Sequence, residues 1–114
     1  MKKLILIIIL IAFLPSCAVW PVGEDPRGKE YRVQAIAIIA SLERYKAENG
    51  LLPSSLDELV PKYMNALPKV SRVLRYSSNT QSLGYTYTPS WPQPGQISCS
   101  TVIGSNEWSC HGYI

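Results

Sequence analysis

The sequence of 114 residues is poor in the groups that enzymes use, with one histidine, three cysteines and eight acidic residues. His111 directly follows Cys110, which is too close for the usual ligand spacing of a zinc site. No Ser/His/Asp spacing and no glycine-rich phosphate loop is present, and Cys99 and Cys110 lack the CxxC spacing of a redox pair. We therefore expect a protein without enzymatic activity, metal or cofactor.

Positive charge is also scarce once the amino terminus is set aside. The chain has 11 Lys+Arg and 8 Asp+Glu, and two of the basic residues are Lys2 and Lys3, so 9 − 8 leaves a charge of +1 for the rest. Because no basic stripe is present, nucleic acid is excluded as an expected partner. A hydrophobic fraction of 46% argues against a disordered chain, and the length allows one domain.

The longest apolar run, residues 4–14, is shorter than the roughly 17–25 residues that a membrane-spanning helix needs. The basic segment Met1-Lys2-Lys3 precedes it, and Pro15-Ser16-Cys17 follows it. A positive start, a short apolar core and small residues are typical of a secretory signal peptide. Two alternatives remain open, which are cleavage after Ala18 and an uncleaved anchor running through Trp20.

The segment Leu14-Pro15-Ser16-Cys17 resembles the lipobox of bacterial lipoproteins, with Pro15 in place of the usual small residue. The resemblance implies that residues 1–16 are a lipoprotein-type signal peptide and that Cys17 carries the acyl chains, palmitate among them. It also implies a membrane partner and a place in the cell envelope. The protein would be anchored to the outer or cytoplasmic membrane, facing the periplasm or the exterior.

The cysteine count agrees with lipidation, because an acylated Cys17 leaves an even pair in an exported chain. Residues 96–103 and 106–113 alternate as strands, and Gly104-Ser105 between them predicts a two-residue hairpin loop. In that register Cys99 lies opposite Cys110, within disulfide distance. We therefore predict a Cys99–Cys110 disulfide.

Residues 29–49 predict one long helix that ends at Asn49-Gly50. Residues 17–28, with two prolines and two glycines, predict the lipidated cysteine and a flexible tether. Apolar residues of the helix recur on one face, and further apolar residues flank that face. This pattern predicts that the middle of the helix is largely buried. The face consists of Tyr31, Ala35, Ile38, Leu42 and Tyr45, and it is widened by Val33, Ile36, Ala37, Ile39 and Ala40.

A short second helix is predicted over residues 56–64, with Ser55 and Glu58 forming a capping box. Residues 73–76 and 83–88 then alternate as strands and precede the hairpin. The expected fold class is α+β, with a 3–4-stranded antiparallel meander packed on the long helix.

Residues 42–68 resemble the helix end and following loop of type IV pilin-like proteins, especially the major pseudopilin of type II secretion. The positions that carry the resemblance are Tyr45, Asn49, Gly50, Leu52, Pro53, Leu56, Leu59, Leu67 and Pro68. It implies a pilin-like head over residues 29–114. The family's apolar helix with its Glu, its Asp-Pro-Trp sequence and its acidic calcium loop are absent. The resemblance therefore implies a pilin head on a lipid tether and not a filament subunit.

Aromatic residues are concentrated in the sheet half, and most are expected to cover the long helix as core. Alternatively, one sheet face presents Tyr85, Tyr87 and Trp108 to a ligand, with Trp91 on a proline-rich loop as the best candidate for exposure. The expected function is a binding or scaffolding module of the envelope. Two alternatives are an accessory component of a type II secretion or type IV pilus-like assembly, with pseudopilin partners, and a glycan-binding envelope domain.

Overall fold

The computed structural model describes residues 20–113, and these form an α+β domain with one long helix and one antiparallel sheet. The helix α1 spans Pro26–Asn49, and two short 3-10 segments follow at Leu56–Leu59 and Lys69–Arg72. The strands are β1 (Leu74–Ser77), β2 (Ser82–Tyr87), β3 (Gln96–Val102) and β4 (Trp108–Tyr113). They lie in the order β1-β2-β3-β4, so the predicted α+β class and meander are confirmed, with four strands.

Helix α1 begins three residues before the predicted start at residue 29. Asp25 is the N-cap residue and Pro26 is the first helical residue, where its missing N–H costs nothing and its fixed φ suits the helix. Asp25 and Gly28 are buried, although both fall in the segment predicted to be a tether. The predicted end is confirmed, because Gly50 takes a φ of +84° and its N–H donates to the Lys46 carbonyl at 2.8 Å.

The predicted apolar face of α1 is confirmed, since Ala35, Ile38 and Leu42 are all fully buried. The expectation that the middle of the helix is largely buried is wrong for most of the residues that widen this face. Val33 is 68% exposed and Ile36 is 50% exposed. The reason is geometric, because a single four-stranded sheet and two short 3-10 segments cover only one side of a helix of this length.

The second helix predicted over residues 56–64 is reduced to a single 3-10 segment, Leu56–Leu59. Its predicted capping box is present. The Ser55 hydroxyl accepts from the Asp57 N–H at 3.1 Å, and the Glu58 carboxylate accepts from the Ser55 N–H at 3.1 Å. Residues beyond Leu59 form turns, because Pro61 has no N–H with which to continue the helix.

The register of the last two strands is the predicted one, with Cys99 opposite Cys110, and the predicted disulfide between them is confirmed. The loop is longer than predicted, since β3 ends at Val102 and β4 begins at Trp108 instead of residue 106. The Ser105 N–H donates to the Val102 carbonyl at 3.1 Å, and Asn106 has a left-handed φ of +59°. Because of this turn and the left-handed Asn106, the chain departs from the β3–β4 pairing, and residue 106 does not pair with β3.

The core lies between α1 and the inner face of the sheet. In β2, alternate residues point inward, so Tyr85 and Tyr87 are buried while Thr86 is not. Buried apolar residues of the helix, the 3-10 segments, the strands and the turns between them form one cluster. Its members are Ala35, Ile38, Leu42, Leu52, Leu59, Tyr63, Val70, Leu83, Tyr85, Tyr87, Ile97, Cys99 and Ile103.

Candidate functional site

The four aromatic residues predicted to contact a ligand do not form one exposed strip. Tyr85 is fully buried, Tyr87 is 4% exposed and Trp108 is half-buried. The Tyr85 ring lies 5.8 Å from the Tyr31 ring and 5.7 Å from the Trp108 ring, between their centroids. Tyr85, Tyr87 and Trp108 therefore pack the helix against the sheet, whereas Trp91 is 89% exposed.

Arg32 ties the helix to the hairpin within this aromatic cluster. Its guanidinium carbon lies 4.5 Å from the centroid of the Trp108 ring. Its Nε donates to the Tyr85 hydroxyl at 3.2 Å, and its Nη2 donates to Cys110 Sγ at 3.3 Å. A cation over an aromatic face is attractive, so Arg32 and Trp108 support each other and the disulfide beside them.

Asp25 connects the start of α1 to the end of the sheet. Its side chain is fully buried, and its Oδ1 accepts from the Tyr87 hydroxyl at 2.5 Å. Its Oδ2 accepts from the Ser90 N–H at 2.8 Å and from the Gly28 N–H at 3.4 Å. One carboxylate thus caps the helix and holds the chain just beyond β2.

These contacts shift two acid–base equilibria in the directions that stabilise the pair. Burial acts to raise the pKa of Asp25, but the hydrogen bonds from Tyr87, Ser90 and Gly28 outweigh it, and the pKa lies below its ordinary value of 3.8. Burial, and then the hydrogen bond to Asp25, raises the pKa of the Tyr87 phenol far above 10. At neutral pH the pair is therefore a carboxylate that accepts from a neutral phenol.

The loop between β2 and β3 is held against the start of α1 and presents Trp91 to solvent. The Arg27 N–H donates to the Ser90 hydroxyl at 3.2 Å, and its Nη1 donates to the Thr88 carbonyl at 3.0 Å. The Gln93 N–H donates to the Ser90 carbonyl at 3.1 Å. The backbone on both sides of Trp91 is thus fixed, so the indole is presented by an anchored loop.

A cleft of about 310 Å³ lies beside this loop, between the first turns of α1 and the second 3-10 segment. Three of its lining residues are basic and one is acidic. Two further lining residues are joined to each other, since the Gln34 Oε1 accepts from the Val70 N–H at 3.0 Å. The lining residues are Arg27, Glu30, Tyr31, Gln34, Lys69, Val70, Arg72 and Val73. Within residues 20–113, none of the three basic groups forms an ion pair with a carboxylate.

No protein-family model, curated protein or solved structure matches this chain. Cys17, the predicted lipidation site, lies outside the described residues. Over residues 20–113, no helix is long and apolar enough to cross a membrane. In the same part of the chain, no three His, Cys, Asp or Glu side chains come together as a metal site would require.

The other acidic residues and the histidine considered from the sequence do not belong to a metal-binding group within residues 20–113. Asp57 and Glu58 lie in the first turn of a capped 3-10 segment, and His111 is exposed on the edge strand β4. Sequence reasoning missed the buried role of Asp25. The signal was present, because an Asp directly followed by Pro is a strong helix-start pattern.

Proposed function

We propose that the protein is a bacterial envelope lipoprotein, anchored through acylated Cys17, whose domain is a non-catalytic binding or scaffolding module. The observation that carries the proposal is the cysteine balance. Cys99 and Cys110 are joined to each other, which leaves Cys17 as the one cysteine of the sequence outside that bond. It stands after a basic start and a short apolar run, at the position of a lipobox cysteine.

The disulfide supports an exported location by a separate route. Such bonds persist in oxidising compartments and are rare in reducing ones. The folded part of the chain also begins soon after Cys17, since Gly23 already packs against the disulfide. An anchor at Cys17 would therefore hold the domain close to its membrane.

The anchor is tested by labelling the expressing bacterium with an alkyne analogue of palmitate and measuring the mass of the mature chain. We expect label and a polypeptide that begins at Cys17, with both lost in Cys17→Ser. Pro15→Ala is the matched variant, because it restores the usual small residue of the lipobox and should label at least as well as wild type. An unlabelled wild type that retains Met1 would contradict the proposal.

A second candidate, an accessory component of a type II secretion or type IV pilus-like assembly, is favoured by the uncovered side of α1. Val33, Ile36, Ala37 and Ala40 recur at spacings of three and four, so they share one helix face, and all four are exposed. The order of a long helix followed by an antiparallel meander is also the plan of a pilin head, to which residues 42–68 are similar in sequence. A face of this kind suits packing against another apolar helix.

This candidate is tested with a photo-crosslinking amino acid at Val33 in a host that contains pseudopilins. Cross-links to a pseudopilin from Val33, and none from the exposed control position Ser109 on β4, are the expected result. If neither position yields a pseudopilin, the free-standing lipoprotein is retained and the assembly candidate is rejected.

A further inference from the structure

The surface at one end of the domain combines exposed apolar side chains with basic groups, and we name this surface the tether end. It comprises the start of α1, the segment Lys69–Arg72 with Val73, the β2–β3 loop and the last residue of β4. Four large apolar side chains are 40–89% exposed there. They are Val22, Val73, Trp91 and Tyr113.

The exposed basic groups of the tether end outnumber its exposed acidic groups. The basic residues are Arg27, Lys29, Lys69 and Arg72, and the acidic residues are Glu24 and Glu30. Asp25 is buried and already accepts three hydrogen bonds, so it adds little to the surface. Arg27 belongs both to the basic cleft and to the support of the Trp91 loop, so the two features adjoin.

Chain length places this end near the proposed anchor. Gly23 lies against the disulfide, since a Cβ there would come within 2.7 Å of Cys110 Sγ, and Asp25 is fixed by Tyr87 and Ser90. Only six residue steps separate Cys17 from Gly23, so a fully extended chain spans at most about 22 Å. A lipid-anchored Cys17 would therefore hold the chain at Gly23, and with it the adjoining tether end, within reach of the bilayer surface.

We propose that the tether end is a membrane-interface surface, in which Trp91 enters the headgroup region while Arg27, Lys69 and Arg72 bind the phosphates of anionic phospholipids. The indole of tryptophan, apolar in its body and polar at its N–H, suits the interface between water and hydrocarbon. Basic groups close to an anionic leaflet are attracted by its surface potential. The inference rests on the proposed lipid anchor, and it identifies the surface of the domain that contacts the lipid.

The geometry of the cleft agrees with a phospholipid headgroup as the occupant. Its lining combines three basic groups with Tyr31, buried Val70 and exposed Val73. A phosphate diester carries one negative charge and continues into an apolar glyceride, so it can contact both the basic and the apolar residues of this lining. A free phosphate would contact the basic groups alone.

The test uses the full chain carrying 5-fluorotryptophan, reconstituted in liposomes, with Trp91→Phe to assign the Trp91 fluorine signal. The liposomes contain a lipid with a nitroxide near its headgroup, in phosphatidylcholine alone or mixed with phosphatidylglycerol. We expect the Trp91 signal to broaden strongly with phosphatidylglycerol and much less without it. A Trp91 signal equally sharp in both, or equally broad in both, would overturn the inference.

Paired variants identify the basic groups responsible. Each basic residue near an anionic surface contributes roughly a fivefold preference, so Lys69→Gln with Arg72→Gln should lower the ratio of docked to undocked domain about 25-fold. The matched double variant Arg44→Gln with Lys46→Gln lies near the other end of α1 and should change it less than about twofold. Equal effects of the two pairs would overturn the assignment of the cleft.

Two further measurements separate this inference from its alternatives. The mass of the reconstituted chain reports the state of Cys17, so an acylated chain whose Trp91 remains sharp refutes the membrane surface and leaves the lipoprotein proposal standing. A chain that is not acylated refutes the proposed anchor. The membrane-interface surface is then tested with that chain and added phosphatidylglycerol liposomes, where broadening of the Trp91 signal supports the surface and a sharp signal refutes it. A Trp91 signal that shifts with soluble peptidoglycan fragments and is insensitive to lipid would overturn the inference in favour of a glycan ligand.

Discussion

Replacing Asp25 by alanine is expected to destabilise the domain strongly, because its fully buried carboxylate accepts three hydrogen bonds. The change removes the N-cap of α1, which is typically worth about 1 kcal/mol. It also leaves the buried Tyr87 hydroxyl and the Ser90 N–H without an acceptor, at about 1–3 kcal/mol each. We expect the free energy of unfolding to fall by about 3–7 kcal/mol.

Urea unfolding of the full chain in nonionic detergent, followed by far-ultraviolet circular dichroism, measures this loss. The neighbouring Glu24→Ala is the matched control, because Glu24 is exposed, and it should cost less than about 0.5 kcal/mol. Asp25→Asn keeps an acceptor of nearly the same shape and should fall between the two. If Asp25→Ala unfolds at the same urea concentration as Glu24→Ala, the proposed role of the buried carboxylate is wrong.

The same carboxylate predicts how stability depends on pH. The pKa of Asp25 in the folded domain lies below its ordinary value, so its stabilising contribution is present above about pH 4. That contribution is lost as the pH falls through the folded pKa, because the unfolded chain then binds the proton first. Wild type should therefore lose more stability below pH 4 than Asp25→Asn, and parallel curves for the two would contradict the assignment.

Two further predictions concern the core and the disulfide. Leu42→Ala empties a fully buried site and should cost about 2–5 kcal/mol, whereas Ile36→Ala on the exposed side should cost less than about 1 kcal/mol, both measured by urea unfolding. Replacing both Cys99 and Cys110 by alanine opens a short loop and should cost roughly 3 kcal/mol, measured against wild type with its disulfide intact. An unchanged unfolding midpoint in either destabilised variant would refute that reasoning.

Sequence patterns correctly predicted those features of the fold that are determined by residues close together in the chain. The end of α1 followed from Asn49-Gly50, and the register of the last hairpin followed from the alternating residues on either side of Gly104-Ser105. The hairpin loop was predicted too short, because, in addition to the Val102–Ser105 turn and the left-handed Asn106, the Ile103 N–H bonds to the Gln81 carbonyl at 2.7 Å. That contact comes from a neighbouring turn, and no pattern within residues 96–113 could reveal it.

The exposed side of α1 was mispredicted for a different physical reason. Apolar residues around most of a helix indicate burial only if enough other structure exists to cover them. Here one sheet contacts one side, and Ile36 remains 50% exposed while Ile38 is fully buried. Which side is covered depends on the tertiary arrangement, so composition alone could not assign the two isoleucines to opposite environments.

In the candidate site, too, the feature determined by nearby residues was predictable from the sequence, and the feature formed by residues far apart in the chain was not. Exposure of Trp91 was expected from its proline-rich loop, and it is 89% exposed. The basic cleft was not expected, because Arg27 and Lys69 are 42 residues apart by number and neither stands in a charge run. They are brought together by the packing of the 3-10 segment on α1, which involves the bond from the Val70 N–H to Gln34.

The position of the disulfide gives it a role beyond stabilising a hairpin. Strand β4 is an edge strand with mostly exposed side chains, and such strands tend to open at low free energy. The chain that enters the domain passes directly over the bond, where Gly23 with a φ of +86° leaves no room for a side chain. A pull from the proposed anchor would therefore reach the domain next to this edge strand. Because the disulfide covalently joins β4 to Cys99 on the interior strand β3, such a load would be shared with β3 instead of peeling β4 away.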